Sequence, residues 1–288
     1  MFTGSIVALV TPFNGGIVDY DKLAELVEYH IVNGTNGILP CGTTGESPTL
    51  SHNEHEEVIS KVVQMVNGRI PVIAGTGSNN TEEALELTKY AKKAGADGAL
   101  VITPYYNKPT QEGLYRHYKA ITDQVDIPIV IYNVPSRTGV SISPDTVARL
   151  SEMKNIVAIK EASGDIDQTS QILQLCDITV LSGDDSLTLP ILSVGGKGVI
   201  SVVANILPSD VSKMVAKCLK SIDESTQMMH NRLFPICKAM FIETNPISVK
   251  TAMRLLGRLN GEMRLPLCEM NNENEKKLRN ALQSFGLI

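Results

Sequence analysis

From residue 4 to about residue 220 one unit recurs: a short apolar run rich in β-branched residues, a polar or glycine-rich turn, then a segment of helical hydrophobic period. The runs fall at 6–10, 37–39, 71–74, 99–102, 127–132, 156–160, 179–181 and 198–202, with helix-period segments at 21–32, 51–66, 81–94, 111–125, 143–150 and 165–175 between them. Strands alternating with helices in series build a parallel sheet, and the parallel sheet that closes at eight strands is the (β/α)8, or TIM, barrel. The alternative is an open doubly wound sheet. That fold would place G-x-G-x-x-G after its first strand, where this chain has Val10-Thr11-Pro12-Phe13-Asn14. Ser51 with Glu54 and Asn80 with Glu83 have capping-box spacing, and Ser143-Pro144 puts proline at a first helical position. Asn33-Gly34, Ala94-Gly95 and Val194-Gly195 supply helix stops. Beyond residue 220 the strand signal ends, and 225–239, 246–256 and 272–285 are helical by pattern. The sequence therefore predicts a barrel over 1–222 and a small C-terminal helical domain over 223–288.

Charge narrows the function classes. A formal net charge of −5, with no basic tract, argues against nucleic acid or an anionic membrane as the main partner. No apolar run reaches the roughly eighteen residues that span a bilayer, and Met1-Phe2-Thr3-Gly4-Ser5 lacks the features of a secretion signal, so the expected location is cytoplasmic. Cys41, Cys176, Cys218, Cys237 and Cys268 are scattered, without a C-x-x-C pair. They read as free thiols in a reducing compartment and give no zinc site.

Sites in this fold lie at the carboxyl ends of the strands. Ile156-Val157-Ala158-Ile159 reads as a strand buried on both faces, and Lys160 ends it. A lysine there either snorkels to solvent or pairs with Glu161, or it stays out of water, where burial disfavours the ammonium and favours the nucleophilic amine. Such an amine attacks a ketone or aldehyde to form a Schiff base, whose iminium acidifies the adjacent carbon and permits carbon–carbon bond chemistry without a metal. Tyr132 shares the inward face of Val130, which aims a phenol at the same mouth, although a strand-end tyrosine also serves as packing. Gly42-Thr43-Thr44-Gly45-Glu46 offers two hydroxyls and closely spaced backbone N–H groups, either an anion nest or a plain glycine turn. Arg137 is the only arginine in the loop after the fifth run, free to grip a carboxylate or to stay solvated.

Together these motifs, with Tyr105-Tyr106, Tyr132-Asn133-Val134-Pro135, Arg137-Thr138-Gly139 and Lys160-Glu161-Ala162-Ser163-Gly164, closely resemble the dihydrodipicolinate synthase (4-hydroxy-tetrahydrodipicolinate synthase) family of the class I pyruvate aldolase / N-acetylneuraminate lyase superfamily. The resemblance runs essentially end to end, including 242–247 and 265–267. It implies a lyase condensing pyruvate with L-aspartate 4-semialdehyde to 4-hydroxy-tetrahydrodipicolinate, the first committed step toward diaminopimelate and lysine, with no cofactor beyond the lysine imine. By the same resemblance Lys160 is the Schiff-base lysine, and Tyr132, Thr43 and Tyr106 form a hydroxyl relay, Tyr106 reaching into a neighbouring subunit's site. Thr44 holds the pyruvate carboxylate, Arg137 receives the semialdehyde carboxylate, and Gly183 and Ile200 line the pocket. A homotetramer, as a dimer of dimers, is implied. In lysine-sensitive members the positions of Ser47, Pro48, His52, His55, Asn79, Glu83 and Tyr105 form an allosteric pocket for L-lysine. Pro48 departs from the usual alanine. A sugar-acid aldolase is the nearest rival, and Arg137 separates the two, since those enzymes generally lack arginine there. A catalytically silent, metabolite-binding barrel is the rival of another class, against which the intact Lys160, Tyr132, Thr43 and Tyr106 argue. His52 and His55 share a helix face, but with no third ligand at useful spacing they make a weak metal site.

Overall fold

The computed structural model describes residues 2–288. Eight parallel strands form the barrel: β1 (Gly4–Ala8), β2 (Gly37–Leu39), β3 (Ile73–Gly75), β4 (Gly98–Ile102), β5 (Ile129–Asn133), β6 (Ile156–Glu161), β7 (Thr179–Ser182) and β8 (Gly198–Ser201). Neighbours in sequence are neighbours in space, and β1 pairs with β8. A parallel bridge between Ile38 and Val72, beside the Gly75 amide donating to Pro40 O at 3.0 Å, closes the β2–β3 seam. Each strand alternates between two environments. Ile6, Ala8, Leu39, Ile73, Leu100, Val130, Tyr132, Ala158, Leu181 and Ile200 fill the barrel interior, while Ile129, Ile131, Ile159 and Val180 face the surrounding helices.

One irregularity in this pattern sets the site. Between β5 and β6 the register shifts: Ile129 pairs with Ile156, but Val130 pairs with Ala158. Val157 is the extra residue of a β-bulge, and both it and Ala158 pack toward the interior cluster. Had the Ile129–Ile156 pairing continued without the shift, Tyr132 would face Ile159. With it, Tyr132 lies opposite Lys160, and both side chains point into the barrel.

β1 runs over Gly4–Ala8 rather than the expected 6–10. Val10 leaves the sheet because its amide donates to Asn205 Oδ1 at 3.2 Å. A two-stranded ribbon, Phe13–Asn14 against Ile17–Val18, turns through Gly15 and Gly16 at φ of 60° and 80° and was not expected. The Ser51–Glu54 capping box forms, whereas the Asn80–Glu83 box does not: Asn80 Oδ1 accepts from the Glu82 amide at 3.1 Å, and Glu83 turns instead to Ser78 and His52. The C-terminal helices span Glu224–Ala239, Ile247–Leu255 and Asn272–Phe285. Their Leu233, Ile236, Val249, Met253, Leu278 and Leu282 belong to one apolar cluster with Val7, Leu9 and Ile38 of the barrel. All five cysteines are free, and among the described residues no helix is long and apolar enough to cross a membrane.

Candidate active site

Lys160 is 6% exposed at the carboxyl end of β6, and its Nζ stands 4.2 Å from the centroid of the Tyr132 ring. Among the described residues no carboxylate pairs with it. Glu161 points to the opposite side of the strand, where its carboxylate accepts from Asn133 Nδ2 at 3.0 Å, the Ser163 amide at 2.7 Å and Gln168 Nε2 at 3.3 Å. Burial raises the Glu161 pKa while those donors oppose the rise. The Lys160–Glu161 pair is therefore not made, and the lysine does not snorkel to solvent.

Gly183 explains how the amine keeps its room. A Cβ there would lie 2.6 Å from Ala162 Cβ and 3.1 Å from Lys160 Cε, so any side chain would press on the lysine's own arm. At β8, the buried Asp185 accepts from the Val202 and Val203 amides at 2.9 and 3.2 Å and from Ser201, which fixes the strand end beside the interior residue Ile200. Burial pushes the Asp185 carboxyl up to about 6, against the pull of these donors.

After β2, the 42–47 turn uses its own amides: Gly45 and Ser47 donate to Gly42 O and Glu46 to Thr43 O. The nest is thus smaller than the spacing suggests. The amides left without an acceptor among the described residues are those of Gly42, Thr43 and Thr44, all three at the cavity. Asn245 Nδ2, from the C-terminal segment, donates to Thr44 Oγ1 at 2.9 Å, and Arg137 Nη2 donates to Asn245 O at 3.3 Å.

Lys160, Tyr132, Thr43, Thr44, Gly183 and Arg137 line one cavity of about 180 Å3. No direct hydrogen bond joins the Tyr132 and Thr43 hydroxyls. Tyr106 lies outside this cavity, 89% exposed at φ 70°. Thr43, Tyr132 and Arg137 also border a second cavity of about 410 Å3, walled by Ser47, Pro48, His52, His55, Glu83 and Tyr105. Asn79 is absent from that wall; its carbonyl accepts from Asn107 Nδ2 at 2.9 Å. His52 Nε2 meets Glu83 Oε1 at 2.8 Å, and the hydroxyl of Ser78, ahead of His52, holds the Glu83 carboxyl below its usual range. Burial pushes His55 down to about 4, so it is neutral at pH 7. Among the described residues no three metal-ligating side chains cluster.

The sequence reading missed Asn245, Phe241 and the buried pair Glu46–Lys250. Lys250 had a signal: it falls among the apolar residues Ile247, Val249, Ala252 and Met253 of a helix-period segment, where an unpartnered lysine would be costly.

The model of the dihydrodipicolinate synthetase family matches residues 1–285. A 4-hydroxy-tetrahydrodipicolinate synthase of Geotalea daltonii is 57% identical over 290 residues, covering 100% of both chains. Among solved structures, a chloride-inhibited dihydrodipicolinate synthase of Acinetobacter baumannii, complexed with pyruvate, is 47% identical with a TM-score of 0.98 over 100% of both chains. A synthase of Cyanidioschyzon merolae with lysine bound is 42% identical with a TM-score of 0.97, covering 100% of this chain and 99% of that one.

The crowding at Gly183 gives a test. Gly183→Ala is expected to lower borohydride trapping of a small 2-oxo acid on Lys160 by roughly a hundredfold, the cost of misplacing a reacting group by about 1 Å. Unchanged trapping, measured by mass spectrometry on folded protein, would show that the lysine arm has slack.

Proposed function

The chain belongs to the dihydrodipicolinate synthetase family of lyases that serve lysine and diaminopimelate biosynthesis, and from this we propose that it condenses pyruvate with L-aspartate 4-semialdehyde through an imine on Lys160. The observation that carries the reading is a buried lysine with no counter-ion among the described residues, set over a tyrosine ring at the carboxyl end of a barrel strand.

The Lys160 amine adds to the pyruvate carbonyl carbon, giving a carbinolamine that loses water to the iminium. Loss of a proton from the methyl group then gives the enamine. That carbon attacks the semialdehyde's aldehyde carbon, and the aldehyde oxygen takes up a proton as the new bond forms. The semialdehyde's own amine adds to the iminium carbon and displaces Lys160, closing the ring and freeing the enzyme. The iminium is the electron sink throughout, so no metal or pyridoxal cofactor is assigned. Tyr132 and Thr43, which line the Lys160 cavity, are assigned the proton transfers. Tyr106, exposed on its own chain, is assigned to a neighbouring subunit's site, which makes the working unit at least a dimer; two dimers are expected to pair as a tetramer. The free amides of Thr43 and Thr44 suit the pyruvate carboxylate, Arg137 at the mouth suits that of the semialdehyde, and Gly183 lines the cavity, whereas Ile200, assigned to the pocket, belongs to the interior cluster and does not border it.

The barrel of residues 1–222 carries this chemistry, with 223–288 as a helical domain against one side of it, in a cytoplasmic enzyme. L-lysine is assigned to the larger cavity as an inhibitor: Glu83 faces its ammonium, while Tyr105, and Asn79 once a partner subunit closes the wall, face its carboxylate. The shared walls at Thr43 and Tyr132 provide a short route from that cavity to the chemistry.

Three outcomes follow. Pyruvate consumption should depend on the semialdehyde and vanish in Lys160→Ala. Arg137→Ala should keep imine formation while weakening semialdehyde use by about 1.5–3 kcal/mol; equal loss of pyruvate trapping would remove Arg137 from the second half-reaction. With both substrates saturating, millimolar L-lysine should slow turnover partially, and Glu83→Ala should relieve it. A wild-type rate insensitive to L-lysine would end the regulatory reading.

A further inference from the structure

Glu46 and Lys250 are 204 residues apart in sequence and form an ion pair whose side chains are 0% and 1% exposed. Both members of the pair make further contacts within the chain. The Lys250 ammonium also donates to Glu262 O at 2.9 Å and lies 4.3 Å from the centroid of the Phe13 ring, while Glu46 Oε2 accepts from the Arg264 amide at 3.1 Å.

Stability alone does not call for this arrangement. A buried ion pair gains little or nothing over well-packed apolar residues of the same volume, because both ions give up water. Glu46 carries a second cost, since its φ of 56° is left-handed and unfavourable for a residue with a Cβ. Both costs fall on the residue that ends the turn bearing Thr43 and Thr44. The amide of Glu46 donates to Thr43 O at 3.1 Å, and its carbonyl accepts from Thr49 Oγ1 at 3.0 Å, so the position of its side chain dictates the course of the turn.

The Ile247–Leu255 helix and the residues before it hold that turn at two points, Asn245 on the Thr44 hydroxyl and Lys250 on the Glu46 carboxylate. We infer that Glu46–Lys250 is a positioning pair for pyruvate capture: it fixes the turn so that the unpaired amides of Thr43 and Thr44 face the Lys160 cavity, and it does so from the C-terminal helices. This rests on the assignment above of those amides to the pyruvate carboxylate. Neither Glu46 nor Lys250 borders that cavity, so their influence runs through the turn.

The test uses Glu46→Gln, Lys250→Met, their combination, and Lys250→Arg, each assayed by thermal unfolding and by the pyruvate concentration giving half-maximal borohydride trapping on Lys160. Each single neutralisation strands a buried charge and should lower both stability and capture. The double variant has no stranded charge, so its unfolding midpoint should recover toward wild type. Its half-saturating pyruvate should stay about ten- to a hundredfold raised, the loss of one charge-assisted hydrogen bond to a carboxylate. Recovery of both quantities would reduce the pair to a structural role and overturn the inference. Should the double variant not fold, Lys250→Arg decides. It keeps both charges but changes the reach, and an unchanged half-saturation there would also overturn the inference. If wild-type protein traps no pyruvate on Lys160, the parent reading falls and takes this one with it; if wild type traps and all folded variants match it, only this inference fails.

Discussion

Lys160 holds a buried amine beside a tyrosine ring and, among the described residues, away from any carboxylate, and the architecture around it keeps it so. The face of Tyr132 lies 4.2 Å from Nζ, a softer neighbour than a carboxylate. The apolar barrel interior, to which all eight strands contribute, and the outer clusters beneath the helices hold the two side chains in place. Glu161 would stabilise the ammonium if it turned inward. Its tie to Asn133, Ser163 and Gln168 keeps it on the other face, which leaves Lys160 without a carboxylate partner among the described residues.

Geometry at the mouth depends on two departures from regularity. The bulge at Val157 brings Lys160 opposite Tyr132, and the glycine at 183 leaves the lysine arm unobstructed. The mouth is completed from the far end of the chain, since Asn245 reaches Thr44 and contacts Arg137, and Lys250 reaches Glu46. Strands supply Lys160 and Tyr132, the proposed nucleophile and phenol, and the C-terminal segment contacts the turn assigned to the substrate carboxylate. Because the helices share an apolar cluster with the barrel, this reach is held by packing rather than by a mobile flap.

Much of this was legible in the sequence because period and order are local signals. The eight runs, the helices between them and the inward phase of Val130 and Tyr132 follow from spacing alone, and the closed barrel follows from their number. What the sequence hid was pairing across long separations. Nothing near Glu46 indicates that its partner is Lys250, and nothing near Thr44 points to Asn245. The bulge was hidden for the same reason, since an extra residue in β6 is defined only against β5. Glu83 misled because capping-box spacing is a local pattern, while its actual partners, Ser78 and His52, come from the preceding loop and from another helix.

The central claim is that Lys160 is the covalent centre and that the Thr43-Thr44 turn holds the carboxylate beside it. Diffraction from crystals soaked in pyruvate tests this most directly. The account predicts continuous density from Lys160 Nζ to the former carbonyl carbon, with the carboxylate against the Thr43 and Thr44 amides. Pyruvate bound without a covalent link, attached to another lysine, or turned with its carboxylate away from that turn would contradict it.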